Sequence, residues 1–449
     1  MVNSMSIKMK TPSVKMKASS AMKDSGIEWI GEIPEHWDVM PIRFLFTENR
    51  VKNIMKQEKL ALKFTYGTIV PKENFDADND EYVSATISNY TVVKPGVIMI
   101  NCLNLNYDFV SQRIGLVKDN GAITSAYLAI SPKNKLDSEF VTYQLKYWDS
   151  VKAFHNMGTG VRKTLNFDEL GKKYFPHPPI EEQRLIAVQL NQICGTLDNT
   201  KADIEKQIEI LNEYKKSVIT EAVTKGLDKN VELKDSGIDW IGKIPEHWDF
   251  SRIKYFCTIG SGTDPITESG DTPVYGSGSK SFKTCEEYKI GPTVLLGRKG
   301  TINIPQWVEG NYWNVDTAFD VKSKGNFSLR LFYYISICLD YDRYNMQTTV
   351  PSMAKGDYEN MYIPIPPINE QQEIVAYLDS KCSEIDSIIE TKKHQLELLE
   401  EYKKSIIYEY VTGKREVSAL LNGVTASLDE VSAKPDFAVA PDNQSVSIE

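Results

Sequence analysis

The chain has 449 residues, 41% hydrophobic and 25% charged, with a formal net charge of −9. That is the composition of an ordinary soluble protein, long enough for two or three domains with their own cores, and it counts against a uniformly basic nucleic-acid binder. No apolar run reaches the ~18–20 residues of a membrane-spanning helix.

Residues 1–23 are rich in Lys, Ser and Met but lack the apolar stretch of a signal peptide, and are expected to form a mobile leader. At Asp24 the phrase "DSGIEWIGEIPEHWDV" begins. It returns as "DSGIDWIGKIPEHWDF" at Asp235, 211 residues later. A second phrase, "PPIEEQRLIAVQL" from Pro178, returns as "PPINEQQEIVAYL" from Pro366. "EYKKS" at Glu213 returns at Glu401, and both of these offsets are 188 residues. The chain is therefore an internal duplication of form A–B–A′–B′. The B segments are locked in length. The A segments share their edges but differ inside: Trp37 to Pro178 spans 141 positions, and Trp248 to Pro366 spans 118. This is the pattern expected of one frame holding two different readers.

Each A segment (24–178 and 235–366) reads as a mixed α/β domain. Residues 90–117 and 291–321 give strand, turn, strand, loop, strand, punctuated by Gly and Asn, and "LRLFYYISICL" is a short helical run. Each B segment (179–226 and 367–413) opens with Pro-Pro followed by acids, a helix-start signal, and ends near Gly226 or Gly413. Apolar residues fall at three- and four-residue steps in both. In the first they are Ile186, Leu190, Ile193, Leu197, Ile204, Ile208, Leu211 and Val218. In the second they are Ile374, Leu378, Ile385, Ile388, Leu396, Leu399, Ile406 and Tyr410. The near-heptad pattern predicts two long helices, each ~65–70 Å if unbroken, able to pair antiparallel about a pseudo-two-fold axis. Residues 227–234 form a linker. The acidic, Ser/Ala-rich tail 414–449 is expected to be poorly ordered.

No catalytic constellation emerges. "GSGSKS" (276–281) lacks the spacing of a phosphate-binding loop, and neither H-E-x-x-H nor G-x-S-x-G occurs. "HPPI" and "IPPI" lack both ends of the Asn/Asp-Pro-Pro-aromatic tetrapeptide of amino-methyltransferases. His36 and His247, in the repeated "PEHW", are expected to pack beside tryptophan. The six cysteines are scattered and form no C-x-x-C pair, which fits reduced thiols in a cytoplasmic protein and no metal site.

Local charge points elsewhere. Gln112 and Arg113 lie in "VSQRIG", Arg162 and Lys163 in "TGVRK", Ser277, Lys280 and Lys283 in "SGSKSFK", and Arg298 and Lys299 in "GRKG", followed by Asn303. Arg and Lys neutralise phosphates or grip guanine edges, and Gln and Asn grip adenine. Each of these alone could be a solvated surface group. Set on loops of two paired readers, they form candidate DNA contacts, with the negative charge left to the helices and the tail.

From residue 24 to about 413 the chain resembles the specificity subunits of type I restriction-modification systems, on the paired phrases "DSGIEWIGEIPEHW", "PPIEEQRLIAVQL" with "PPINEQQEIVAYL", and "EYKKS". The resemblance implies an α+β fold with two target-recognition domains separated by an antiparallel coiled coil, each domain reading one half of a bipartite double-stranded DNA site. It implies a non-catalytic cytoplasmic chain of a bacterium or archaeon. Its partners would be two modification subunits that carry S-adenosylmethionine and methylate adenine and, where present, two restriction subunits that use ATP and Mg. The chain itself would hold no cofactor. A methylation-only or fused-enzyme system using a similar subunit stays open. A coiled-coil scaffold without DNA contact, or a self-contained methyltransferase or nuclease, fits the divergent readers and the missing motifs less well.

Overall fold

The computed structural model describes residues 21–73, 81–107, 112–133, 135–278, 280–343 and 350–417. The leader up to residue 20 and the tail beyond 417 lie outside the described residues. Two compact units emerge. The first comprises residues up to Lys201 together with those from Glu397 onward, and the second is Ala202–Leu396.

The first unit opens with an antiparallel ribbon, Met22–Asp24 on Glu32–Pro34, so regular structure starts inside the expected leader. Strand Asp38–Pro41 then pairs with Tyr174–His177, closing the two edges of the reader against each other. Between them lie two four-stranded sheets. One runs Phe46–Glu48, Leu128–Pro132, Ile98–Ile100, Ile114–Leu116 and is antiparallel throughout. The other runs Thr68–Pro71, Ala61–Thr65, Gly121–Ile123, Thr91–Val93 and holds one parallel pair. Helix Ser138–Ser150 follows, capped by the Asp137 carboxylate on the amides of Glu139 and Phe140.

The second unit repeats the plan. Leu233–Asp235 pairs with Lys243–Pro245, and Asp249–Arg252 with Tyr362–Ile365. The antiparallel sheet runs Cys257–Ser261, Ala318–Ser323, Thr293–Gly297, Gln306–Val308. Its companion, Lys283–Cys285, Thr272–Tyr275, Asn311–Asn314, Lys289–Ile290, again holds one parallel pair. The all-antiparallel sheets match strand for strand in chain order. The loops they carry do not match in length, which is the sequence-level freedom of the A segments made concrete.

The two long helices are Ile180–Lys225 and Ile368–Val411, of 46 and 44 residues. Each contributes its first part to one unit and its last part to the other. In the first unit Asp198 and Lys201 of the first helix pair with Lys403 and Glu400 of the second. In the second unit Gln207 and Lys215 pair with Lys392 and Asp386. Ascending numbers on one helix meet descending numbers on the other, so the pair is antiparallel. Lys215–Asp386 and Lys403–Asp198 are images of one another under the 188-residue offset. Charged groups placed beside an apolar seam fix register, because a slipped pairing would set them against alkyl groups. The expected seam residues are buried or half-buried with one correction. Ile388 is 41% exposed, and its neighbour Ile389 is the buried one, at 4%. The steps Cys382, Ile385, Ile389, Leu396 keep the 3.5-residue mean that a seam requires, whereas Ile388 falls one position off it.

The repeated phrases now have a physical reason. Trp37 is fully buried, and its indole N–H donates to Glu182 Oε1 (3.1 Å) while His36 Nε2 lies 2.8 Å from Oε2. Trp248 and His247 hold Glu370 in the same way, at 2.8 and 2.6 Å. Each glutamate is the third residue of its helix, where the dipole favours a negative charge. The following glutamine locks the double proline: Gln183 Nε2 donates to Pro178 O (2.8 Å) and Gln371 Nε2 to Pro366 O (2.9 Å). Their side-chain oxygens accept from the backbone amides of Asp137 and Ser328, the N-caps of the reader helices. The indole edge beside the N–H of each tryptophan meets the glycine that ends the other helix. A Cβ on Gly413 would lie 2.9 Å from Trp37 Cζ2, and one on Gly226 would lie 3.1 Å from Trp248 Cζ2. Both glycines have positive φ, +68° and +75°, the left-handed stop that favours glycine. Every long helix is thus seated at both ends, which is why neither B segment can change length alone.

Candidate nucleic-acid interface

In the second unit four loops converge at one end of the antiparallel sheet. They are 276–278 with 280–282, 298–305, the turn 315–317 and the segment from Val350 to Met353. Arg298 N–H donates to Thr317 O (2.7 Å), and its guanidinium donates to Asp316 O (3.2 Å) with the Asp316 carboxylate 3.8 Å away. Gly300 N–H donates to Pro351 O (2.9 Å), and Met353 N–H to Arg298 O (3.0 Å), with a bridge between Lys299 and Ser352. Gln306 Nε2 donates to Gly276 O (2.9 Å), tying the first loop to the start of strand Gln306–Val308, just past the second. A side chain on Gly300 (φ +82°) would reach Ser277 Oγ at 3.4 Å, so these loops lie backbone to side chain. The structure therefore brings Ser277, Arg298 and Lys299 together. Lys280, Lys283, Lys299 and Asn303 are exposed, with the Lys283 ammonium 5.8 Å from the Phe282 ring.

A neighbouring loop is fixed by a carboxylate. Glu287 Oε1 accepts from the amides of Ile266 (2.7 Å) and Thr267 (3.1 Å), and Oε2 from the Thr267 hydroxyl (2.5 Å). The Thr267 hydroxyl, helped by those two amides, holds the Glu287 carboxyl down at about 2, so it stays ionised and the loop stays tied across the neutral range.

In the first unit the equivalent place is held by the loop after strand Ile98–Ile100 and the hairpin around 158–164. Leu105 N–H donates to Lys163 O (3.0 Å), Leu165 N–H to Cys102 O (3.2 Å) and Asn106 Nδ2 to Val161 O (3.2 Å). Arg162 is exposed. Lys163 is half-buried and donates to His155 O at 3.2 Å. Gln112 is exposed, and its Cα and Cβ would meet a side chain on Gly67 at 3.8 Å, in the turn whose tip is Tyr66. Arg113 differs from expectation. It is only 5% exposed, and its guanidinium donates to the carbonyls of Asn101 (2.8 Å), Leu103 (2.8 Å) and Asn104 (3.1 Å). It shapes the loop from inside and is not presented to solvent. An arginine can satisfy several orphan carbonyls at once, which explains burial that a lysine there would not achieve.

The cation pattern of the sequence does not mark the exposed apolar residues of these loops. Tyr66 is 81% exposed at a φ of +48°, and Val161 is 89% exposed at the tip of its hairpin. One signal marks the valine: "NMGTGV" (156–161) is matched by "NMQTTV" (345–350), a fourth repeated phrase.

Lys299→Ala should weaken DNA binding uniformly across sequences and reduce the slope of log affinity on log salt by about one, as loss of one phosphate contact does. Arg298→Ala should add a loss of ~1–3 kcal/mol of discrimination at one base pair if its outer edge reads guanine. Binding isotherms at several salt concentrations check both, and an unchanged slope and affinity in the double variant would leave the pair as surface cations.

Comparison with known proteins agrees with this architecture. A family model described as the type I restriction modification DNA specificity domain matches residues 34–210 and again 245–398, well over half of the chain. A putative type I restriction enzyme MjaX specificity subunit of Methanocaldococcus jannaschii is 26% identical over 429 residues, covering 86% of this chain and 96% of that one. The MjaVIII specificity subunit of the same organism is 26% identical over 430 residues, with 86% and 95% covered. A solved structure, described as the structural basis of complex assembly and conformational transition of the type I R-M system, superposes with a TM-score of 0.66 at 15% identity, over 85% of this chain and 99% of that one, and so shares the fold. With two matched copies of the specificity domain on the duplicated frame, the chain belongs to the family of type I restriction-modification DNA specificity subunits, whose work is DNA sequence recognition.

Proposed function

We propose that each unit reads one half of a bipartite DNA site and that the paired helices set the spacer between the halves. The observation that carries this is the duplication itself: one frame is kept residue for residue at its tryptophan seats, while the loops at the end of each antiparallel sheet differ in length and charge. A frame held constant beneath divergent loops suits recognition of two different sequences at a set distance. The chain is read as non-catalytic. Its partners would be two methyltransferase subunits docked on the helices and supplying S-adenosylmethionine, with restriction subunits supplying ATP- and Mg-dependent action where the system has them.

The test is a genome-wide map of methylated adenines in the host with and without this gene. Loss of one bipartite motif on deletion, with no methyl transfer by the rigorously purified chain alone, is the expected result. A methylation map indifferent to the gene would overturn the reading.

A further inference from the structure

The shared "NM-x-T-x-V" phrase ends in an exposed valine in both units: Val161 at 89% and Val350 at 54%. At Val161, the tip of a fully described hairpin, exposure of an apolar side chain gains nothing for folding. Its position is nevertheless built. In the first unit the tip is a tight hairpin bridged from Thr159 to Thr164, with Gly158 and Gly160 both at φ +84°. A side chain on Gly158 would strike Thr164 O at 2.6 Å, so the turn closes only with glycine there. The first-unit tip is hydrogen-bonded to the loop that follows the matching sheet strand through Leu105–Lys163, and in the second unit Pro351, next to Val350, is bonded to the corresponding loop through Gly300.

A cation stands beside each valine, but its source switches. In the first unit it is Arg162, the next residue of the tip, and the tethering loop from Leu103 to Asn106 carries none. In the second unit the next residue is Pro351, and the cation comes from the tethering loop as Lys299, bridged to Ser352. An apolar tip beside a cation is thus kept while the residue that supplies the charge changes. In a duplicated reader, loops that differ contact what differs between the half-sites, and an exposed feature kept in both contacts what the half-sites share.

Building on the bipartite reading above, we propose that Val161 and Val350 are equivalent, sequence-independent DNA contacts. Each seats its methyl groups against the sugar and base wall of a groove while Arg162 or Lys299 meets the adjoining phosphate. Duplex DNA fits better than a protein partner because the valine stands among cations and opposes a wall that is apolar within and anionic at its rim.

The test uses the assembled complex and duplexes carrying the mapped site, with Val161→Ser, Val350→Ser and, as a contrast, Lys280→Ala, on a hairpin loop whose first-unit counterpart is the two-residue Tyr66–Gly67 turn and carries no cation. Both valines are exposed, so the serine variants should fold and assemble. Each should lose about tenfold in affinity, to the same extent for matched and mismatched half-sites, with the methylated motif unchanged. Lys280→Ala should act on the second half-site alone. Wild-type affinity in both serine variants would overturn the inference while leaving the bipartite reading intact. So would lost discrimination at a single base, or lost assembly with DNA affinity retained, which would mark a protein contact. A wild-type complex blind to sequence would take down the underlying reading and this inference with it.

Discussion

Trp248→Ala is expected to destabilise the chain by ~3–5 kcal/mol, the cost of emptying a fully packed aromatic site. Trp248 has no exposed surface and sits in one cluster with Val218, Ala222 and Val223 of the first long helix, Ile374 and Leu378 of the second, and Ile253 and Leu331 of the reader. Its removal opens three packed elements at once and strips Glu370 of an indole donor. Against the ~5–15 kcal/mol that holds typical domains folded, this is a large fraction. Trp248→Phe should cost less, because the ring is largely kept and only the N–H to the carboxylate is lost, ~1–3 kcal/mol. His247→Ala should cost under ~1 kcal/mol, since that ring is nearly half exposed. Urea denaturation of the three variants checks the order. A Trp248→Ala chain as stable as its parent would mean that the repeated "EHW" phrase is kept for contacts outside this chain.

That phrase also marks how far the sequence alone reaches. Its recurrence reports the duplication, and the double prolines report the helix starts. What it could not say is that Trp37, Glu182 and Gly413 meet, because 145 positions separate the first two and 413 − 182 = 231 the last two. The seam was legible to within one residue. Ile388 and Ile389 are adjacent and chemically identical, so the three- and four-residue steps admit either until a partner helix selects one. The burial of Arg113 is hidden from the sequence for a different reason. Its acceptors are carbonyls of Asn101, Leu103 and Asn104, groups that every residue carries and no sequence pattern displays. The cationic loops of the second unit were visible as glycine-flanked charges. Their convergence was not, since it rests on backbone hydrogen bonds between Gly300 and Pro351 and between Met353 and Arg298.

Lengthening both long helices by four residues should lengthen the spacer of the recognised site by about two base pairs and leave the half-site sequences unchanged. An insertion in one helix alone cannot test this. Each helix is seated at its start by a glutamate on a tryptophan and at its end by a glycine on the other tryptophan, so unequal helices would unseat one end. The insertions belong after Lys206 and after His394, positions related by the 188-residue offset. Both lie between the Lys201–Glu400 and Gln207–Lys392 pairs, so the cross-helix contacts on either side keep their register. Four residues add ~6 Å at ~1.5 Å each and turn the helix ~40° beyond a full turn. DNA rises ~3.4 Å per base pair along each strand, so the added length corresponds to between one and two pairs, and whole-pair spacing favours two. Four-residue insertions are also the step a coiled coil absorbs by local unwinding, without breaking its seam. Mapping methylated adenines in cells carrying the double insertion reads the spacer directly. A folded, active variant that keeps the parental spacer would show that the distance between half-sites is set by something other than the helix pair. Loss of all methylation with the chain still folded would show that the second reader, once moved, no longer meets its groove.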